Sequence, residues 1–443
     1  YVHQQSEKIP PISWRLAMQK FRSNIRSANK RSEAEALKNL LADHEFDGSL
    51  RKRISSRAAA LVERIRSDAN PSMMELFLGE YGLSSDEGVA LMCLAEALLR
   101  VPDGATMDAL IEDKIAPNEW DKHLGQSHSS LINASSWALF MTGMVLNEDQ
   151  GGVMGTLRGA IKRVGEPVIR QAVTRVMKEL GQQFVLGENI AAAVSRAQAY
   201  QDKGFTYSYD MLGEAARTED DARRYYLSYS EAIGRIAKAS TSADIRQNPG
   251  ISVKLSALHP RYETLQKQRV MEALMPRARS LAMLAKSAGI GLNIDAEEAG
   301  RLDLSLDVIS AVLSEPALKG WDGFGVVVQA YGLRAPGILD WLYALAKHHD
   351  RKIMVRLVKG AYWDTEIKHA QVEGHSVFPV FTRKEATDVS YICCSKKLLG
   401  MTDRISPQFA THNAHTVAAI LEMADNKESF EFQRLHGMGE ALH

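Results

Sequence analysis

Six polar residues stand where short apolar runs give way to loops: Asp210, Lys254, Asp295, Gln329, Arg356 and His412. Period-two alternation aims Lys254, Asp295 and Gln329 to the opposite face from their Val and Ile neighbours. One such residue in an apolar run is an accident. Six at equivalent places make a ring, and a ring of cations, carboxylates and an amide can grip and orient a small charged molecule. The stretch VRLVKGAYWD, Val355–Asp364, adds to it. An unpaired buried charge costs several kcal/mol, so Arg356 and Lys359 need partners, and Asp295 and Glu297 are available. Lys254, Arg383 and Lys384 bring further cation to the same rim, which leaves positive charge for an anionic ligand. Strict alternation sends Arg356 and Lys359 to opposite faces, but Gly360 can break the strand and let both approach one ligand. Tyr362 and Trp363 offer flat surfaces for a planar ring. An anion joined to a planar ring is a nucleotide or a flavin. Two plainer readings stand beside this: salt bridges that close a barrel mouth, and aromatic rings that merely fill a core.

Metal chemistry is a rival. His412 and His415 in THNAH are spaced i, i+3, and Asp295 and His436 could complete a site. No HxH or HExxH motif occurs. A metal-dependent barrel hydrolase or aldolase would use Asp295, His412 and His436; a non-enzymatic scaffold would use none of them.

The ring needs elements to position it. Eight β-rich segments, residues 205–212, 250–258, 291–298, 323–331, 352–363, 378–384, 405–414 and 430–438, alternate with amphipathic helical patterns such as Arg261–Ala288, Leu302–Leu318 and Glu385–Leu399. That alternation implies α/β architecture with a parallel sheet. Eight strands in about 250 residues have the size of a closed (β/α)8 TIM-like barrel, whose active site lies at the C-terminal strand ends, where the ring stands. An open doubly wound sheet is the alternative, and the nucleotide fingerprint it would carry after the first strand is missing.

Before residue 185 the pattern is almost all helical. Ile12–Lys30 and Glu33–Phe46 carry apolar residues at three- and four-residue spacing. Ser84 and Glu87 have the spacing of a capping box ahead of GVALMCLAEALLR, and Pro71, Pro102, Pro117 and Pro167 fall between helical patterns. GGVMGTLRG, Gly151–Gly159, lacks both the GxGxxG order and the Walker lysine and reads as a glycine-rich connection. The expected division is a helical arm over residues 1–45, a helical domain over 46–184 and the barrel over 185–443.

Bulk properties narrow the function. The 443 residues are 45% hydrophobic and 24% charged, which leaves room for two or three globular domains. Lys plus Arg and Asp plus Glu both number 54, so no overall charge calls for nucleic acid and each cationic spot has a local reason. Cys93, Cys393 and Cys394 show neither CxxC spacing nor a framework of pairs, which points to a reducing compartment. No apolar run approaches the roughly 18–20 residues of a membrane span, and Tyr1–Pro10 is too polar for a signal peptide.

YDMLGEAA, GISVKLSALHPRY, NIDAEE, VVVQAY, VRLVKGAYWD, FTRK, ATHNAH and FQRLHGMGE occur in this order. Together they resemble the proline dehydrogenase domain of the proline utilization A family of bacterial bifunctional proteins. The resemblance extends back through EGVALMCLAEALLR, to roughly residues 75–443, and the earlier stretch is similar to the family's helical arm. It implies a distorted FAD-binding barrel that oxidises L-proline to Δ1-pyrroline-5-carboxylate, the first step of proline catabolism to glutamate. Hydride would pass from the ring carbon next to nitrogen to flavin N5, and electrons onward to a membrane quinone. By the same resemblance Arg356 lies beside the reactive edge of the flavin, with Lys359, Gly360 and Ala361 along the cofactor and Gln329 on its pyrimidine side. Trp363, Thr382, Arg383, Lys384, Thr411, His412 and Asn413 would hold the rest. Lys254 would pair with the substrate carboxylate. Asp295, Tyr362 and Leu435 would shape the pocket, and Glu214 would take part in closing it. The implied catalytic set is Lys254, Asp295, Arg356 and Tyr362, with no dedicated base and no metal. The cofactor carries the redox step, so the protein need only place the C–H bond and stabilise charge.

There are departures from the family pattern. The family carries a tyrosine and an arginine pair on the helix after the eighth strand, and the residues up to His443 do not include it. The expectation is that FAD still binds while proline affinity falls sharply. The family's aldehyde dehydrogenase half and its basic ribbon-helix-helix segment are also outside these residues, so operator DNA binding is not expected of this chain. The implied setting is the bacterial cytoplasm, peripheral at the inner membrane, with L-proline and a quinone as partners.

Overall fold

The computed structural model describes residues 12–67 apart from Lys30 and Glu45, then Thr106, then residues 185–443. The capping box at Ser84 and Glu87, Cys93, the four prolines from Pro71 to Pro167 and the stretch Gly151–Gly159 lie outside the described residues. The chain divides into two compact units, residues 1–62 with 197–434 and residues 63–196 with 435–443. All the described strands lie in the first.

Seven of the eight expected segments form strands: β1 (Ser208–Asp210), β2 (Gly250–Val253), β3 (Gly291–Ile294), β4 (Phe324–Gln329), β5 (Ile353–Val358), β6 (Ile405–Ala410) and β7 (Glu431–Gln433). They pair in chain order, all parallel. Side chains reach between strands that are not neighbours, Arg356 of β5 to Ser208 of β1 and Asn293 of β3 to Gln408 of β6. Contacts of that kind require a sheet curled into a TIM-like arrangement. Among the described residues no pairing joins β7 to β1.

Residues 378–384 correct the sequence reading. They are not a strand of this sheet. Val380 makes one antiparallel bridge to Gly332, and Pro379 has no amide to donate. β5 is paired directly to β6 instead. The apolar run exists because Phe381 is buried beneath a helix from the start of the chain.

β4 and β5 read as largely apolar runs because both their faces are covered, and β6 is buried as well although it carries Ser406 and Gln408. Among the described residues, the helices α1 (Ile12–Ala28), α2 (Glu33–Asp43), α3 (Gly48–Arg66) and α4 (Ile190–Gln201) precede the sheet. The outer layer then follows the sheet as α5 (Glu219–Ile236), α6 (Lys267–Ser287), α7 (Leu302–Leu313), α8 (Ala335–His348), α9 (Trp363–Val372), α10 (Lys384–Leu399) and α11 (Ala414–Met423). α5 starts where Thr218 and Asp221 exchange side-chain and backbone hydrogen bonds in a capping box. α5, α6 and α8 pack on β2, β3 and β4, and α10 packs on both β5 and β6. The Tyr391 hydroxyl of α10 pins those last two strands by donating to the carbonyls of Leu357 and Ala410, at 3.1 and 3.0 Å.

The N-terminal helices lie on this outer layer. Arg22 of α1 pairs with Asp303 and Asp307 of α7. Ala36 and Leu40 of α2 share an apolar cluster with Leu333, Phe381, Ala386 and Cys393. Ile54 and Ala58 of α3 pack with Ala418 and Ala419 of α11.

Candidate active site

Alternation along β1 and β2 puts Ser208, Asp210, Ser252 and Lys254 on one face, while Tyr209, Ile251 and Val253 are buried on the other. Lys254 Nζ lies 3.0 Å from Asp210 Oδ1 and 3.1 Å from Asp295 Oδ2. Arg356 enters the concave face from β5. Its Nη1 donates to Ser252 Oγ at 2.9 Å and stands 3.4 Å from Asp295 Oδ1, and its Nη2 donates to Ser208 Oγ at 2.8 Å. Asp295 therefore bridges two cations. Its side chain is 15% exposed, against 50% for Asp210, so Asp210 is the partner that faces water.

Burial opposes the Lys254 charge, but Asp295 and Asp210 outweigh it and hold the ammonium above its ordinary value. Lys254 is charged at any physiological pH. Burial also pushes the Asp295 carboxyl up, against the pull of Lys254 and Arg356.

Gln329 ends β4 with its side-chain amide fixed at both ends. Nε2 donates to the Glu297 carbonyl at 3.0 Å, and Oε1 accepts from the Ala361 amide at 3.0 Å. Tyr362 Oη donates to Glu214 Oε2 at 3.4 Å. Burial, with Glu214 beside it, raises the Tyr362 phenol.

Arg356 and Lys359 have different partners. Arg356 belongs to the concave face, while Lys359 pairs with Asp388 of α10, which also takes Lys384 at 3.2 Å. Glu297 is not available to either cation, because it pairs with Arg301 at 3.0 Å and accepts from the Ser256 amide at 3.0 Å. Gly360 has φ +150°, and a Cβ there would stand 2.3 Å from the Tyr331 ring. The β5 exit packs closely on Tyr331 at this residue. Lys254, Arg356, Lys359, Arg383 and Lys384 share four carboxylates, Asp210, Asp295, Asp388 and Glu385.

The remaining candidates fall into two further places. Trp363 is 41% exposed and its indole donates to the Phe381 carbonyl at 2.9 Å. Next to it, the Thr382 amide and hydroxyl donate to Glu33 Oε2 of α2, at 3.2 and 2.6 Å. Arg383 precedes α10 with no side-chain cap, and its contact with Glu385 is 3.5 Å between two largely exposed side chains. Thr411, His412 and Asn413 form the entry to α11. Thr411 is buried and its hydroxyl accepts from the Asn413 amide at 3.2 Å, Asn413 caps the helix through Thr416, and His412 is exposed. Leu435 is 65% exposed and belongs to the second compact unit.

Sequence reasoning missed the hydroxyls of Ser208 and Ser252, the carboxylate of Asp388 on α10, and Glu33. Alternation from Lys254 would have found Ser252. Glu33 carries no such signal, because it lies 349 residues from Thr382 in the chain. Among the described residues no group of three or more His, Cys, Asp or Glu could hold a metal ion. No described helix is long and apolar enough to cross a membrane.

The donor set suits an anionic group that carries a polar planar ring. Arg356 Nε is buried without a hydrogen-bond partner on the concave face. The α10 N-terminus lacks a side-chain cap and has two exposed cations, Arg383 and Lys384, beside it. A helix N-terminus of this kind favours phosphate.

Three family models match the chain. Proline dehydrogenase matches residues 193–443, the DNA-binding domain of proline dehydrogenase matches 73–184, and the proline utilization A proline dehydrogenase N-terminal domain matches 19–66. The middle description bears on the expectation that this chain does not bind operator DNA, and its residues lie almost wholly outside the described structure. The bifunctional protein PutA of Klebsiella aerogenes is 50% identical over 446 residues, covering 99% of this chain and 34% of that protein. The Escherichia coli protein of the same name is 50% identical over 430 residues, covering 95% and 33%. A crystal structure of a Bradyrhizobium japonicum proline utilization A (PutA) mutant superposes with a TM-score of 0.69 at 49% identity, covering 93% of this chain and 41% of that one. The chain spans about a third of the length of the curated relatives it matches. With the proline dehydrogenase model accounting for the whole stretch that builds the curled sheet and its ring of charged strand ends, the chain belongs to the proline dehydrogenase family.

Proposed function

We propose that this chain oxidises L-proline to Δ1-pyrroline-5-carboxylate with FAD as its bound cofactor. The observation that carries the reading is the charged Lys254, held between Asp210 and Asp295 beside Arg356 at the strand ends of a proline dehydrogenase family sheet.

Lys254 offers an ammonium to the substrate carboxylate. Asp210, half in solvent, is the partner an incoming carboxylate displaces, while the more buried Asp295 keeps Lys254 in place. Arg356 would hold the cofactor at the concave face, Gln329 its polar ring edge, and the α10 N-terminus with Arg383 and Lys384 its diphosphate. Thr382 and Trp363 adjoin that end. The unpartnered Arg356 Nε supports this fit. FAD, when bound, supplies the two-electron acceptor that no side chain can provide. Tyr362 and Glu214 close the side of the site next to Lys254 and limit the entry of water.

A quinone as final acceptor, a peripheral position at the inner face of a bacterial membrane and an aldehyde-oxidising partner half complete the proposal. The bifunctional relatives, about three times as long, support the last of these. The test is turnover: FAD-loaded protein, L-proline and an electron-accepting dye should give the cyclic imine by mass spectrometry. Loaded protein that yields no imine refutes the proposal.

A further inference from the structure

The loops that leave the strand ends are tied to one another in a closed circuit. Tyr362 Oη donates to Glu214 at 3.4 Å. The Ala215 amide donates to Ser256 Oγ at 3.0 Å, and the Ala216 amide to the Ser256 carbonyl at 3.0 Å. The Ser256 amide donates to Glu297 Oε1 at 3.0 Å. Gln329 joins the Glu297 carbonyl to the Ala361 amide. Ala361 and Tyr362 are neighbours, so the circuit returns to its start.

Ser256 is the hub. It is 1% exposed and sits in the short turn Leu255–Ala257, whose other two residues are buried and apolar. A polar residue this buried, with amide, hydroxyl and carbonyl all engaged by two neighbouring loops, is not core filling. The same turn begins at Lys254. On the other side, Ala215 has φ +52°, the left-handed region that a residue with a Cβ avoids. The Ser256 hydroxyl bonds the amide of that residue directly.

We propose that Ser256 is a positioning residue for substrate binding, its hydroxyl holding Ala215 in the left-handed conformation and so setting Glu214 against Tyr362 beside Lys254. The idea rests on the proline-oxidising reading of the site. Ser256 itself touches neither substrate nor cofactor. Without its hydroxyl the turn is free to relax to negative φ, and Glu214, exposed and bonded to Tyr362 only at long range, leaves with it.

The test uses Ser256→Ala, Ala215→Gly and the double variant in FAD-loaded full-length protein. Ser256→Ala should speed hydrogen exchange of the amides in residues 213–217 while the strands keep their protection. It should raise KM for L-proline about tenfold, the scale of one buried hydrogen bond, with kcat within about twofold. Ala215→Gly lowers the cost of the left-handed turn, so the double variant should recover most of the KM effect, while the residue 215 amide, still without its acceptor, stays fast to exchange. Wild-type KM and local exchange in Ser256→Ala would overturn the proposal. So would a rise in exchange spread over the whole sheet, or a double variant whose KM is no better than that of the single one. Should the wild type fail to oxidise proline, the functional reading falls, and the exchange comparison decides on Ser256 by itself.

Discussion

Replacing Lys254 with methionine keeps the aliphatic stem and deletes the ammonium. Asp210 is half exposed and regains water, so it contributes little to the cost. Asp295 is 15% exposed and loses its partner at 3.1 Å, but keeps Arg356 at 3.4 Å. Breaking a buried ion pair outright costs about 3–5 kcal/mol, and a retained second cation brings the expected loss to about 1–3 kcal/mol. That lowers Tm by about 1–3 °C in a protein of this size. The effect on binding is larger in proportion. A hydrogen bond to a charged group is worth about 1.5–3 kcal/mol, or about 10- to 150-fold in Kd. Calorimetric titration of FAD-loaded protein with a non-oxidisable analogue, in which oxygen replaces the ring nitrogen of proline, measures this directly. Tetrahydrofuran, the same ring without the carboxylate and uncharged, serves as the control and should bind wild type and variant alike. Binding of the carboxylate analogue within about twofold of wild type would refute the assignment of Lys254 to the substrate carboxylate.

Three further outcomes follow from the same structure. Burial, with His348 and Arg351 beside it, pushes the His349 imidazole down to about 4 from 6.5. The folded state therefore favours the neutral ring; this stability is present above about 6.5 and is lost as pH falls towards 4. Urea unfolding should show wild type losing about 1–2 kcal/mol relative to His349→Gln between about pH 7 and about pH 4.5, allowing for solvent at a partly exposed ring. Gly360→Ala forces a Cβ to within 2.3 Å of the Tyr331 ring at φ +150°, and should cost about 2–4 kcal/mol, read as a fall in Tm. Glu33→Ala removes the acceptor for the amide and hydroxyl of Thr382. It should cost about 1 kcal/mol of stability and speed FAD release on dilution, followed by flavin fluorescence.

Much of this site could be read from the chain because its chemistry sits at strand ends, where period and polarity change together. Asp210, Lys254, Asp295 and Arg356 announced themselves as charges in apolar runs, and the structure gathers those four. Gln329 did the same and proved to be a brace between loops. Period-two reasoning sends Arg356 and Lys359 to opposite faces, and the structure gives them different partners, Ser252 and Asp388. Residues 378–384 failed because Val380 and Phe381 are buried by tertiary cover, and a short apolar run cannot declare which neighbour hides it. Glu33, Asp388 and Ser256 were invisible for a related reason. Each is an ordinary polar residue whose meaning comes only from the partner that folding brings to it.

The most direct test of the account is an anaerobic absorption titration of the FAD-loaded protein with L-proline. The account predicts that the flavin band bleaches in step with added proline, and that Lys254→Met needs far more proline for the same change. A band that dithionite removes but L-proline leaves untouched would contradict it.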